Sequence, residues 1–173
     1  MNEHDLQLLS ERVASLPAQW VAGFPLGLDD AGVLGRFFKC ELRSHYRPVE
    51  VGGARLARAE LDVLGPDGEP FPADKLFSLA SGADGLLKLD RLCRLIHALN
   101  HFVVQGQRTP LVLPIHVRLF DYVKTAHGST FARMLHHFDL QPANVVLELP
   151  AGLPQSTLDG YLGEGFAVRI ATE

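Results

Sequence analysis

The hydrophobic rhythm of the chain changes near residue 41. Ahead of it, apolar positions recur at three- and four-residue steps; beyond it they alternate with polar ones and then gather into short apolar runs. Leu6, Leu8, Leu9, Val13 and Leu16 give Asp5 to Val21 an amphipathic helical face, which Pro17 disturbs towards its end. Gly23 to Gly27 is a turn-rich break, and Leu28 to Phe38 reads as a second helix with Asp29 or Asp30 as its cap. Leu42 to Val51 and Ala54 to Leu64 read as strands joined through Gly52-Gly53, a hairpin signal, and Pro66-Asp67-Gly68 reads as a turn. Pro72-Ala73-Asp74-Lys75 leads into a short helix ending at Ala80, Ser81 to Gly85 reads as a loop, and Leu86 to Val104 carries the longest helical pattern. Leu111 to Val117 is a nearly continuous apolar run, as in a strand buried on both faces. Ser129 to Phe138 and Leu153 to Leu162 read as helices, Asn144 to Leu149 and Phe166 to Ala171 as strands. The last part thus alternates strand and helix, as a parallel α/β sheet does.

Bulk properties narrow the function classes. The 173 residues suit one domain with a sizeable core, and 47% hydrophobic with 21% charged residues is ordinary for a globular protein. A net charge of -4 gives no basic footprint for a nucleic-acid polymer. No apolar run approaches the roughly 20 residues that span a bilayer. Met1-Asn2-Glu3-His4-Asp5 lacks a signal-peptide pattern, and Cys40 and Cys93 do not make a disulfide framework. These features predict a cytoplasmic, reduced protein with neither a membrane nor a nucleic-acid polymer as partner.

Several blocks carry a family resemblance. They are His45-Tyr46-Arg47-Pro48-Val49-Glu50, then Arg58-Ala59-Glu60 followed by Pro66-Asp67-Gly68 and Pro72, then Leu89-Asp90-Arg91. Ile115-His116-Val117-Arg118, Val146-Leu147-Glu148-Leu149 and the closing Arg169-Ile170-Ala171-Thr172-Glu173 complete them. In order and spacing they resemble the EAL domain, the cyclic di-GMP phosphodiesterase module. Its corresponding texts are close to YQPI, Glu-Ala-Leu before a Pro-x-Gly turn, Val-Asn-Leu-Ser, Leu-Glu-Leu-Thr-Glu and Asp-Asp-Phe-Gly. The resemblance covers residues 33 to 173 and the first half or so of the family domain.

The resemblance implies a TIM-barrel-like α/β fold whose first strand is antiparallel. The sequence supplies about five strands, whereas a closed barrel needs about eight. The expected architecture is therefore an incomplete TIM-barrel-like EAL fold: an open, curved sheet over residues 33–173 with extra N-terminal helices over residues 1–32. Those helices either bind a partner or cover barrel surface. An open sheet edge invites pairing, so a protein partner or a homo-oligomer is expected.

In the family, carboxylates and one Asn at strand ends hold two divalent metals that activate water for attack on the phosphodiester. Here the first ligand Glu is matched by Arg58, a cation. The phosphate-binding Arg four residues on is matched by Asp62, an anion. Positions 58 and 62 share one face of a strand, so an ion pair between them is expected. A shifted alignment instead puts Glu60 in the metal position, at the expense of a two-residue gap, and Leu64 in the phosphate position. The Asn is matched by His116, opposed by Arg118 on the same face, and Glu148 matches a ligand directly. Pro150 and Ala151 replace the Thr and second Glu, and Glu173 falls on the first Asp of Asp-Asp-Phe-Gly.

The degenerate pocket is thus expected at Arg58, Asp62, His116, Glu148 and Glu173, with no catalytic residue and no resident cofactor; Mg²⁺ or Mn²⁺ belongs only to an enzyme reading. Three functions compete. They are a non-catalytic regulator acting through protein contacts in cyclic di-GMP-related signalling, a non-hydrolysing cyclic di-GMP receptor, and a phosphodiesterase.

Other constellations carry less. Cys93, His97 and His101 are four apart on one helical face, which suits Zn²⁺ or, more simply, core packing. Ser81 to Gly85 lacks the Lys of a phosphate-binding loop. His136-His137 and the arginines of the first third, interleaved with acids, read as solvated surface.

Overall fold

A two-residue turn sets the geometry of the sheet. Gly52 and Gly53 both have positive φ, 57° and 80°, a conformation that glycine reaches without a side-chain clash and that matches strand twist in a hairpin. The turn opposes Val51 to Ala54 and so fixes the pairing of β3 (Cys40–Val51) with β4 (Ala54–Leu64) along its whole length. Arg47 thereby faces Arg58, His45 faces Glu60, and Arg43 faces Asp62.

The computed structural model describes residues 1–21, 26–122 and 128–172. In chain order, α1 (Glu3–Ala14) and α2 (Ala18–Val21) precede β1 (Leu26–Asp29), β2 (Gly32–Phe37), β3 and β4. Then come α3 (Ala73–Leu79), α4 (Gly82–Ala98), β5 (Leu111–Pro114), α5 (Leu119–Tyr122), α6 (Gly128–His137), β6 (Val145–Leu149), α7 (Gln155–Gly163) and β7 (Ala167–Ile170). Among the described residues the strands form one seven-stranded sheet in sequence order, antiparallel from β1 to β4 and parallel from β4 to β7. β1 and β7 are its edges, so the sheet is open, as expected.

Seven strands replace the five or so expected because the helix expected over residues 28–38 is the β1–β2 hairpin. Its apolar spacing fits either period, and two glycines decide the matter. Gly32, at φ 121°, closes the turn in which the Asp29 carboxylate accepts the Ala31 N–H at 2.9 Å. Gly35 lies so close to α4 that a Cβ there would stand 2.5 Å from Ile96 Cδ1. The buried Asn100 amide holds the Val33 backbone from both sides, accepting its N–H and donating to its C=O, each at 2.8 Å. The hairpin straddles the expected boundary between residues 32 and 33.

α4 is the central helix. Leu86, Leu89, Leu92, Leu95, Ile96 and Leu99 along it are essentially inaccessible, packed with Leu42, Leu111, Leu113, Val145 and Leu147 from the sheet. It starts at Gly82, inside the stretch expected to be loop, because its first turn is exposed and tolerates glycine; the Lys88–Asp84 ion pair at 2.9 Å supports that turn. It continues as a π-helical turn over Leu99–Val104. β5 is shorter than expected: Pro114 ends it, and Ile115 to Arg118 form the loop beyond.

The N-terminal helix docks on the end of α6. Arg12 donates to the His137 carbonyl at 2.8 Å and pairs with Asp139 at 2.6 Å, and Ser15 lies 3.1 Å from the His137 ring. His137 is therefore half-buried beneath the helix, whereas His136 is exposed as expected. Among the described residues, no helix is long and apolar enough to cross a membrane.

Candidate functional site

Strand alternation places one set of side chains on the sheet face opposite α4. From β3 these are Arg43, His45 and Arg47; from β4, Arg58, Glu60 and Asp62; from β6, Glu148; and from β7, Arg169. Arg43 pairs with Asp29 and Glu41, and the others form a ladder of ion pairs. His45 lies 2.9 Å from Asp62 through Nδ1 and 2.8 Å from Glu60 through Nε2. Arg47 and Arg58 both reach Glu60, the latter at 3.2 Å. Arg58 donates to Glu148 Oε1 from Nε at 3.0 Å and from Nη2 at 2.6 Å, while Arg169 Nε lies 3.3 Å from Glu148 Oε2. Glu148 is buried, with 7% of its side chain exposed, so both its oxygens are enclosed by guanidinium groups.

Two of the expected pocket residues, Arg58 and Glu148, are thus brought into direct contact. The ion pair expected between Arg58 and Asp62 gives way to two others. Glu60 stands between them on the same face and takes Arg58, and the hairpin register brings His45 to Asp62. Glu173 lies outside the described residues.

His116 occupies a different setting. Beyond the rung Arg58↔Val112, β4 and β5 diverge. The gap opens into a cavity of about 440 Å³ lined by Arg58, Glu60, Phe77, Asp90, Cys93, Arg94, His97 and His116, among others. The His116 ring stacks on Phe77 at 4.3 Å between centroids, and its Nδ1 accepts the Arg118 N–H at 3.3 Å. Its Nε2 is 3.8 Å from Asp74, too long for a hydrogen bond. Burial lowers its pKa, so the imidazole is neutral at physiological pH.

The floor of the cavity is a buried ion pair between Asp90 and Arg94, with 3% and 1% of the side chains exposed. The Arg94 guanidinium also lies 4.8 Å over the Phe131 ring. Burial pushes the Asp90 carboxyl up against the pull of Arg94.

The Cys93-His97-His101 set does not converge. His97 Nδ1 is 2.7 Å from Ser44 Oγ, and burial pushes its pKa down to about 3. His101 Nε2 is 2.7 Å from the Thr109 carbonyl, and burial raises the Cys93 thiol far from thiolate chemistry. Among the described residues, no three His, Cys, Asp or Glu side chains group as a metal-ion shell.

Sequence reasoning places His45, Arg47 and Arg169 only inside motifs and misses them as members of the ladder. A signal for the first two exists: a two-residue turn fixes the rung opposite each β4 residue. Arg169 depends on the β6–β7 register, which no turn sets.

His45 supplies a pH test. Burial lowers its pKa, but hydrogen bonds and charge from Asp62 and Glu60 outweigh this, and the net shift is upward from 6.5. A His stabilised in its charged form contributes fully below its unfolded value, and the contribution fades as pH rises through the folded value. The stability advantage of the wild type over His45→Gln should therefore shrink as pH rises above 6.5; a difference between their melting temperatures that does not change with pH would remove His45 as its source.

No family model matches the chain, and no curated protein matches it. Among solved structures, it is similar to the FimX EAL domain from Pseudomonas aeruginosa bound to c-di-GMP, at 18% identity and a TM-score of 0.48, over 71% of this chain and 48% of that one. The Xanthomonas citri FimX EAL domain in complex with c-diGMP matches at 19% identity and a TM-score of 0.47, over 95% and 59% respectively. Klebsiella pneumoniae BlrP1 with FMN and cyclic diGMP matches at 15% identity and 0.49, over 94% and 43%. The chain spans about half the length of the solved structures it matches.

Proposed function

We propose that the chain is a non-catalytic EAL-like regulator that acts through protein contacts in cyclic di-GMP-related signalling. The observation that carries this reading is the double guanidinium clamp on Glu148. Where the resemblance implies carboxylates gathered around divalent cations, Arg58 stands between Glu60 and Glu148, and Arg169 closes the other side. Mg²⁺ and Mn²⁺ need several oxygen ligands free to turn towards them. The carboxylates here are turned towards arginines, and a hard cation would have to displace Arg58 from Oε1 or Arg169 from Oε2 of a buried Glu. The divalent cations that the resemblance implies therefore do not fit these residues, and no hydrolytic step is derived through them.

The open sheet supports the protein-contact part of the reading. In this reading, residues 1–32 are an extension to an EAL-like portion at 33–173, the protein works in the cytoplasm, and it needs no resident cofactor.

Calorimetric titration with cyclic di-GMP, with and without Mn²⁺, tests the proposal, alongside an assay for hydrolysis. Absence of both heat and product is expected. Saturable heat without product would convert the regulator into a receptor, and Mn²⁺-dependent product would overturn the reading.

A further inference from the structure

The cavity between β4 and β5 holds hydrogen-bonding groups that no rung of the ladder uses. The Arg94 side chain is 1% exposed, and only its Nη2 has a partner, the Asp90 carboxylate. Among the described residues, its Nε and Nη1 are buried without an acceptor. A buried donor left unmet is unfavourable by more than a typical hydrogen bond contributes. His116 offers a further donor. Its Nδ1 takes the Arg118 N–H, so in the neutral ring the proton sits on Nε2, and the Asp74 carboxylate at 3.8 Å is too far to accept it.

Much of the remaining wall is apolar. Ala59, Leu61, Phe77, Cys93, Ile115 and Val117 line the cavity, and the Phe77 and His116 rings lie within 2° of parallel. Val117 is 58% exposed, so the cavity opens to solvent beside it. A largely apolar pocket of about 440 Å³ with a few polar groups is the usual form of a small-molecule site. The charges of the wall narrow the ligand. Asp90 accompanies Arg94 and Glu60 accompanies Arg58, so each cation already has its anion. An added carboxylate or phosphate would lie beside Asp90 and meet like charge where screening is weak. The unmet groups on Arg94 and His116 are donors, which a cation cannot satisfy.

We propose that this cavity binds a small, flat, uncharged molecule whose carbonyl-type oxygens accept from Arg94 and His116 and whose apolar body packs against Phe77, Leu61 and Ile115. Such a ligand differs in charge from a cyclic dinucleotide, which carries two phosphodiester anions, and its binding does not depend on the protein-contact reading above. The Asp90–Arg94 pair has a role in this site. It holds the guanidinium in place without using all of its donors, so the ligand meets a donor already oriented and loses little freedom on binding.

An amide-detected NMR titration of the full chain tests this, with benzamide as the neutral probe and benzoate as its anion of the same shape. Benzamide should give saturable shifts at Phe77, Cys93 and His116, with a Kd on the order of 1 mM for so few atoms. Benzoate should bind at least about tenfold more weakly. Cys93→Met fills the cavity and should abolish the shifts, while His116→Phe keeps a ring against Phe77, removes the donor and should weaken benzamide about fivefold. If the methionine variant misfolds, His116→Phe alone decides. Absence of saturable shifts with benzamide overturns the site, leaving a cavity that holds water only. Benzoate binding as tightly as benzamide overturns the uncharged class, and binding that both variants leave intact places the probe elsewhere and overturns the site as well. None of these outcomes touches the non-catalytic reading, which fails separately, through Mn²⁺-dependent hydrolysis of cyclic di-GMP.

Discussion

Arg94→Met should destabilise the protein by about 3–5 kcal/mol, more than any other single change on the cavity floor. The substitution is close to isosteric for the stem, so the loss comes from charge. Asp90 is almost wholly buried and Arg94 is the cation paired with it, so removing the guanidinium leaves a buried carboxylate without its counter-charge. The contact with the Phe131 face is lost as well.

The deficit should depend on pH, with a definite sign. The folded pKa of Asp90 is already raised from 3.8 by burial, and losing Arg94 raises it further. A carboxyl that binds its proton more tightly when folded favours the folded state at acid pH and penalises it as pH rises past the unfolded value. The variant should therefore recover towards the wild type on acidification. The double variant Asp90→Leu/Arg94→Met should regain most of the stability, because a buried pair replaced as a unit by apolar groups is often neutral. Urea unfolding at two pH values measures all of this. A single variant within about 1 kcal/mol of wild type would show that the pair is hydrated rather than buried.

The second large effect is expected at the ladder. Arg58→Glu replaces the cation between Glu60 and Glu148 with a third carboxylate. In a chelating buffer it should melt well below wild type, by about 2–4 kcal/mol, discounted for the partial exposure of Arg58. Mn²⁺ should restore part of that loss, since a ligand that binds only the folded state stabilises by about 2.7 kcal/mol at a hundredfold excess over its Kd. The wild type should show no Mn²⁺-dependent shift. A wild-type shift as large as the variant's would mean that the arginines yield to a metal, and the functional reading would have to change.

These two sites differ in how far they could be read from the sequence. The β3–β4 hairpin was legible almost to the residue, because Gly52-Gly53 admits few turn geometries and the flanking alternation is clean. The parallel strands were legible as apolar blocks. The β1–β2 hairpin was not: Leu28, Val33, Leu34 and Phe37 satisfy both periods, and the deciding facts are the contact of Gly35 with Ile96 and the grip of Asn100 on Val33, both made across long stretches of chain. At the site, the types at positions 58, 62, 116 and 148 were legible and their partners were not. Which acid meets which base depends on inter-strand register, and of the registers that build the ladder only β3–β4 is set by a local turn. The cavity behind Arg58 was hidden for the same reason, since it exists because β4 and β5 part company after two rungs.

The ladder also constrains how this sequence can vary. Glu60 is approached by three bases, His45, Arg47 and Arg58, and Glu148 by two, whereas Asp62 has His45 within ion-pair distance. Loss of Arg47 leaves His45 and Arg58 on Glu60, so drift can begin there at little penalty. Change at Arg58 touches both acids at once and becomes tolerable only when Glu148 changes with it. Substitutions on this face therefore have a preferred order, from the outer strand inwards, and the Arg58–Glu148 pair would be the last to move, both members together.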